Sequence, residues 1–169
     1  KVPAEIQRLD LEHWHDRPGQ AALVELLLLR KEDKRFMSCV VMHGMGGTGK
    51  TVTTVAVVQE QAVREHFTHI YWVTVGADAV GEKIRQLQSV LHRQLTGKGM
   101  QSAEVQEKDE HEWLGMLVEA MTMDRSLVVL DDPWLPEQVR FLNPVDSEQT
   151  EHRLLVTTRI RGLAHSRAT

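Results

Sequence analysis

The chain is predicted to fold as an α/β protein around a mostly parallel sheet, and three observations predict it. Apolar, β-branched runs alternate with stretches of helical periodicity, which is how strands joined by crossover helices look in sequence. A glycine-rich run, Gly44-Met45-Gly46-Gly47-Thr48-Gly49-Lys50-Thr51, directly follows the apolar run Cys39-Val40-Val41-Met42. A later apolar run, Leu127-Val128-Val129-Leu130, ends in two acids, Asp131 and Asp132. Parallel sheets bind their ligands at the C-terminal ends of the strands, where both features fall.

The elements follow in order. A helix is expected from Gln20 to Lys31, introduced by Pro18-Gly19, and its run Leu26 to Leu29 lacks a sustained heptad and reads as a buried face. The first strand spans Ser38 to His43, with His43 placed to support the loop behind it, and the first crossover helix spans Thr51 to Arg64. Ile70-Tyr71-Trp72-Val73-Thr74-Val75 is β-branched and aromatic and stops at Gly76, which makes it the second strand. A helix over Val80 to Leu95 keeps Ile84, Leu87, Leu91 and Leu95 on one face. Thr96 to Lys108, with Gly97, Gly99 and several charges, reads as an exposed loop. Asp109 caps a helix that runs to Met123 and turns Trp113, Leu117 and Ala120 to one side. Leu127 to Leu130 and Leu154 to Thr157 complete the strands, and Trp72, Trp113 and Trp134 are expected to be packing residues.

Composition narrows the function. With 169 residues, 41% hydrophobic and 26% charged, the chain suits one compact domain over residues 18–165, flanked by an N-terminal extension, 1–17, and a tail, 166–169. A net charge of −4 and interspersed signs give no support to a nucleic-acid surface. The single cysteine, Cys39, sits in the first strand as a small buried residue and has no partner for an internal disulfide, which suits a reducing compartment. The longest apolar stretch, Ala21 to Leu29, is interrupted by Glu25 and is too short to span a bilayer. No signal-peptide pattern opens the chain, and a cytoplasmic location is expected. His13 and His15, flanking Trp14, lack further nearby ligands for a metal.

The glycine-rich run fits Gly, four residues, Gly, Lys and Ser/Thr, the spacing of a phosphate-binding loop. Without Cβ atoms, Gly44, Gly46, Gly47 and Gly49 let successive N–H groups turn inward around a β-phosphate. Lys50 would bridge β- and γ-phosphates, Thr51 would offer its hydroxyl to Mg2+, and the following helix would aim its positive end at the anion. Met45, Thr48 and Val52 complete the nucleotide-contacting set. Asp131 would reach the metal, usually through water, while Asp132 would position or deprotonate an attacking water. The bland alternative for the paired acids is a helix N-cap ahead of Pro133. In Arg153-Leu154-Leu155-Val156-Thr157-Thr158-Arg159 a third buried-type strand ends in two hydroxyls and a guanidinium. Arg159 would hydrogen-bond a γ-phosphate and tell triphosphate from diphosphate; otherwise it is a solvated loop arginine like Arg161 or Arg167.

Taken together these segments resemble the NB-ARC family, the AP-ATPases within the STAND class of signalling ATPases. The match is collinear: His43 to Thr51 is similar to the family's loop and Tyr71 to Gly76 to its second-strand motif. Leu127 to Trp134 is similar to its Leu-Leu-Val-Leu-Asp-Asp-Val-Trp block, and Leu154 to Arg159 to Ile-Leu-Val-Thr-Thr-Arg. Coverage runs from Arg17 to Arg161, and the wording around His43 and Trp72 looks closer to apoptosome-forming adaptors than to many plant resistance proteins. The resemblance implies a three-layer P-loop NTPase of the additional-strand type, with the Arg159 strand between the first strand and the Asp131 strand. It also implies a switch that holds ADP, exchanges it for ATP, joins protein partners and self-oligomerises in the full-length protein, with slow Mg-dependent hydrolysis. By the same analogy Lys50 and Thr51 serve phosphate and magnesium, Asp131 the metal, Asp132 the water and Arg159 the γ-phosphate. Arg17, in His15-Asp16-Arg17, would lie against adenine.

Two departures matter. Pro133 stands where the family has valine, which removes an N–H and fixes φ beside Asp132, so hydrolysis is less secure than binding. Val52-Thr53 replaces Thr-Leu, a change expected to affect packing only. The family's last strand, its helical and winged-helix domains and its Gly-Leu-Pro and Met-His-Asp motifs have no counterpart in this sequence. Weaker nucleotide binding and an open sheet edge beside the first strand are therefore expected of this fragment. Three functions stay open: a slow ATPase switch, an ATP/ADP-binding interaction module without hydrolysis, and a P-loop kinase of small molecules. The last would need a basic lid, for which Thr96 to Lys108, carrying Glu104 and Glu107 beside Lys98 and Lys108, is poor.

Overall fold

A computed structural model of the chain describes residues 19–99, 107–121, 124–146 and 152–164. The elements are α1 (Gln20–Leu28), β1 (Cys39–His43), α2 (Lys50–Gln59), α3 (Gln61–His66), β2 (His69–Thr74) and α4 (Glu82–Thr96). After these come α5 (Glu110–Ala120), β3 (Ser126–Asp131), α6 (Pro136–Leu142), β4 (Arg153–Thr158) and a 3-10 turn (Arg161–Ala164).

The strands form one parallel sheet in the order β1-β4-β3-β2. Every residue of β3 and β4 is buried, as expected for central strands covered on both faces. Alternation along the strands sorts the core into two layers. Leu127, Val129 and Leu155 face Leu23 and Leu27 of α1, Val55, Val57 and Val58 of α2 and Val63 of α3. Val128, Leu130, Leu154 and Val156 face Ile84, Leu91 and Leu95 of α4, Leu117 of α5 and Leu142 of α6. The architecture is thus a three-layer α/β sandwich, with the Arg159 strand between the first strand and the Asp131 strand, as the resemblance implied.

Several boundaries differ from the expected ones, each for a local reason. The predicted helix Thr51 to Arg64 is two helices, because Glu60 takes an extended ψ of 134 while its N–H still bonds the carbonyls of Ala56 and Val57. Gln20 Nε2 donates to the Glu60 carboxylate at 3.0 Å and ties α1 to that corner. Helix α1 stops at Leu28, short of Lys31, since Leu29 is already extended. Gly81, at φ 50, delays α4 to Glu82 rather than Val80. Helix α5 also ends early, at Ala120 rather than Met123, and begins at a capping box: Asp109 accepts from the His111 and Glu112 N–H groups while Glu112 reaches back to the Asp109 N–H. Helix α4 continues through Thr96 into the stretch read as loop.

Two amides of α4, Gln88 buried and Gln94 half-buried, tie that helix into the fold. Gln88 donates to the carbonyls of Glu110 and Phe141, joining α4 to α5 and to the end of α6. Gln94 lies along the margin of β2, accepting from the Trp72 N–H at 3.0 Å and donating to the Trp72 carbonyl at 2.8 Å. A side chain thereby occupies main-chain positions that a second strand would otherwise seek. Trp113 is fully buried, edge-on to His92, and Trp72 packs in the first layer, as expected. Arg153 is also buried, with its guanidinium 3.7 Å from the centroid of Phe36 and donating to the carbonyls of Leu29 and His152. Among the described residues, no helix is long and apolar enough to cross a membrane.

Burial pushes the Cys39 thiol up from 9.0 to about 11. The folded state then holds its proton to higher pH than the unfolded state. Its contribution to stability is full below 9.0 and is lost as the pH rises through about 11. Because Cys39 is the only cysteine, alkylation reads it cleanly. At pH 8 iodoacetamide is expected to label the folded protein about a hundredfold more slowly than the urea-unfolded chain, and equal rates would refute the burial argument.

Candidate functional site

The loop from Gly44 to Gly49 leaves β1 and enters α2, and two of its glycines take backbone conformations that L side chains avoid: Gly47 at φ 76 and Gly49 at φ 81. Gly44 N–H donates to the Thr158 carbonyl at 3.1 Å, which anchors the loop to the end of β4. Thr48 folds back, its hydroxyl donating to the Met45 carbonyl at 2.8 Å. Lys50 is 9% exposed, and its ammonium donates to the carbonyls of Gly44 at 2.7 Å and Met45 at 2.9 Å, inside the curve of the loop. Met45 is 78% exposed on the outside of the loop, and Val52 is half-buried in the first turn of α2.

Next to Lys50, Thr51 donates its hydroxyl to both carboxylate oxygens of Asp131, at 2.9 and 3.1 Å. Asp131 is 4% exposed and accepts a further hydrogen bond from the Thr157 hydroxyl at 2.5 Å. This pairs two hard oxygen ligands, Thr51 and Asp131, across the α2 and β3 ends. Mg2+ commonly takes only one or two protein ligands and fills its octahedron with phosphate and water oxygens. The donor set fits that habit, and the described residues hold no group of three or more His, Cys, Asp or Glu that would cage a metal unaided.

Asp132 is the only non-glycine at positive φ, 58, among the described residues. Such a conformation costs about 1 kcal/mol or more and persists where its surroundings over-determine it. Here its N–H donates to the Thr157 carbonyl and hydroxyl, and its carbonyl accepts from the Gly76 N–H. The Thr158 hydroxyl donates to the Pro133 carbonyl at 2.7 Å and holds the next peptide. One carboxylate oxygen of Asp132 accepts from Arg159 Nε at 3.1 Å and the other from the Trp134 indole N–H at 3.3 Å. The Arg159 guanidinium lies 5.5 Å from the Trp134 ring centroid and, through Nη1, 3.1 Å from where a Cβ on Gly46 would sit. His43 supports this corner from β1, its ring nitrogen 3.2 Å from the Arg159 carbonyl.

The structure therefore brings Lys50, Thr51, Asp131, Asp132 and Arg159 to the C-terminal ends of β1, β3 and β4, beside the glycine loop. Arg159 is exposed, as in the alternative reading, but its Nε is paired with Asp132. Asp132 is not a helix cap, because the next helix starts at Pro136 and Leu135 occupies its N-cap position. Arg17, with His13 and His15, lies outside the described residues.

Three contributors escaped the sequence reading. Trp134 was expected only to pack, yet it is half-buried and holds both Asp132 and Arg159. Thr157 bonds both acids. Gln138, on the unpredicted helix α6, accepts from the Trp134 and Leu135 N–H groups at 2.6 and 3.0 Å and donates to the carbonyls of Gly76 and Ala79. Pro136 at the first helical position with Glu137 behind it was the signal for α6, a standard start for a short helix.

A glycine loop joining the first strand to a helix, with acids and an arginine gathered over it from neighbouring strand ends, defines the class: an α/β phosphate-binding-loop domain. Residues 20–169 match the NB-ARC domain, a nucleotide-binding domain, and the chain belongs to that family. Disease resistance protein RGA2 of Solanum bulbocastanum is 32% identical over 123 residues, covering 72% of this chain and 12% of its own length. Probable disease resistance protein RF45 of Arabidopsis thaliana is 28% identical over 163 residues, covering 96% of this chain and 16% of its own. Disease susceptibility protein LOV1 of Arabidopsis thaliana is 28% identical over 148 residues, with shares of 88% and 16%. The chain thus spans 12 to 16% of the length of these relatives.

Proposed function

We propose that this domain is the ATP/ADP switch of a STAND-type signalling protein, working with Mg2+ and hydrolysing ATP slowly in the full-length protein. The observation that carries the reading is the gathering of Lys50, Thr51, Asp131, Asp132 and Arg159 around one glycine loop. In this reading the loop from Gly44 to Val52 wraps the phosphates and Lys50 bridges β and γ. Thr51 and Asp131 share the metal, Asp132 orients the water, Arg159 reads the γ-phosphate and Arg17 lies against adenine. The plant disease-resistance relatives support innate-immune signalling over the apoptosome-like reading of the motif wording. A cytoplasmic location, protein partners and self-oligomerisation of the full-length protein are parts of the same proposal.

A second reading, nucleotide binding without hydrolysis, draws on one observation. Both oxygens of the Asp132 carboxylate are engaged, by Arg159 and Trp134, and Pro133 stiffens the chain behind it. Each oxygen keeps one lone pair, but the two bonds restrict the directions from which an attacking water can be held. Phosphate release separates the two readings. Wild type is expected to release phosphate slowly above background, with Lys50→Ala and Asp132→Asn at background. Equal rates for all three forms would leave only the non-hydrolysing switch.

A further inference from the structure

The loop after β3 is pinned by nearly every polar group it offers, and this points to a positioning task. Gln138 accepts from the N–H groups of Trp134 and Leu135, Thr157 from that of Asp132, and Thr158 donates to the Pro133 carbonyl. A half-buried indole is thereby held at a set height above the strand ends. It meets Arg159 in two ways: directly, through the ring face 5.5 Å from the guanidinium carbon, and indirectly, through the N–H bond to the Asp132 oxygen opposite the one that Arg159 holds.

Arg159 is 46% exposed in its side chain, and a long exposed arginine ordinarily samples many rotamers. Here Nε is tied to Asp132, while Nη1 lies against Gly46, 3.1 Å from where a Cβ would be. One end of the guanidinium is tethered and the other is turned to the phosphate loop. A planar fork held by one edge presents its remaining N–H donors in a set direction, so less entropy is lost when they meet an anion.

We propose that Trp134 is a specificity-determining positioning residue: with Asp132 it presents the free edge of Arg159 to the terminal phosphate of a nucleoside triphosphate, and so sets the preference of this domain for triphosphate over diphosphate. The inference rests on the reading of Arg159 as the γ-phosphate contact and adds to it the device that aims the arginine. A diphosphate offers nothing at that position. The effect of Trp134 therefore falls on ATP affinity and leaves ADP affinity alone, which a merely structural role would not do.

The test measures dissociation constants of Mg-ATP and Mg-ADP by titration calorimetry for the full chain, with thermal melts alongside. Trp134→Phe keeps the ring face but loses the N–H, and Trp134→Leu loses both. The ratio of the ADP to the ATP constant is expected to fall about twofold in Trp134→Phe and about two- to fivefold in Trp134→Leu, the span of an exposed cation–π contact. ADP binding should stay at the wild-type value in both, and Arg159→Ala should give a ratio at least as low as Trp134→Leu. Equal weakening of both nucleotides, or an unchanged ratio in Trp134→Leu while Arg159→Ala lowers it, overturns the positioning role and leaves the arginine contact standing. An unchanged ratio in Arg159→Ala, with both nucleotides still bound, removes the γ-phosphate reading and the inference together.

Discussion

Lys50→Ala is expected to lower affinity for Mg-ATP by at least about a hundredfold and for Mg-ADP, which offers only the β-phosphate, by about tenfold or more, with little change in melting temperature. The ammonium is almost fully enclosed by the loop, and its two partners are the carbonyls of Gly44 and Met45. Those carbonyls lie in a largely exposed turn and pass to water when the lysine is lost, so folding suffers little. A phosphate oxygen has no such substitute. Hydrogen bonds to charged groups contribute about 1.5–3 kcal/mol each, and losing the two that bridge β- and γ-phosphates corresponds to two decades or more in the dissociation constant. Calorimetric titration of wild type and variant decides the matter: an affinity within threefold of wild type would remove Lys50 from the phosphate site.

Gln138→Leu is expected to cost about 3 kcal/mol of unfolding free energy, a large loss for one substitution near the site. The amide is buried and uses every valence it has: its oxygen takes two N–H groups and its nitrogen gives to two carbonyls. Leucine has a similar volume, so no cavity is created. What remains are four main-chain groups without their partner; each costs about 1–3 kcal/mol where water does not reach, as at buried Ala79, and less at half-buried Gly76 and Trp134 and exposed Leu135. Gln138→Glu keeps the acceptor for Trp134 and Leu135 but sets a buried carboxylate oxygen against the carbonyls of Gly76 and Ala79, and is expected to cost at least as much. Urea unfolding measures both variants, and a loss below 1 kcal/mol in Gln138→Leu would show that the loop after β3 is held without this residue.

The features that were legible in the sequence are local ones. The glycine loop reads directly because the spacing of Gly44, Gly49, Lys50 and Thr51 is itself the geometry of a turn closing on a helix start. Asp109 reads as a cap because its partners, His111 and Glu112, lie within one helical turn. The corner at Glu60 did not, since a helix-compatible sequence runs straight through it and the break is stabilised by α1, 40 residues away. Helix α6 is too short to show periodicity. The strand order came from the family resemblance and not from residue patterns, which carry the type of a strand but not its neighbour.

By itself, then, the sequence determined which chemical groups stand at the strand ends: a phosphate loop, two acids, two hydroxyls and a guanidinium. Only the tertiary structure decided how those groups meet. Asp132 and Arg159 are separated by 27 residues, and Thr51 and Asp131 by 80. They become neighbours because β4 inserts between β1 and β3 and aligns all three C-terminal ends in register. That insertion is a consequence of burying two apolar faces at once, a global free-energy balance to which no single motif is sensitive. The same insertion turns Trp134 from a residue expected only to pack into the one that faces Asp132 and Arg159 together.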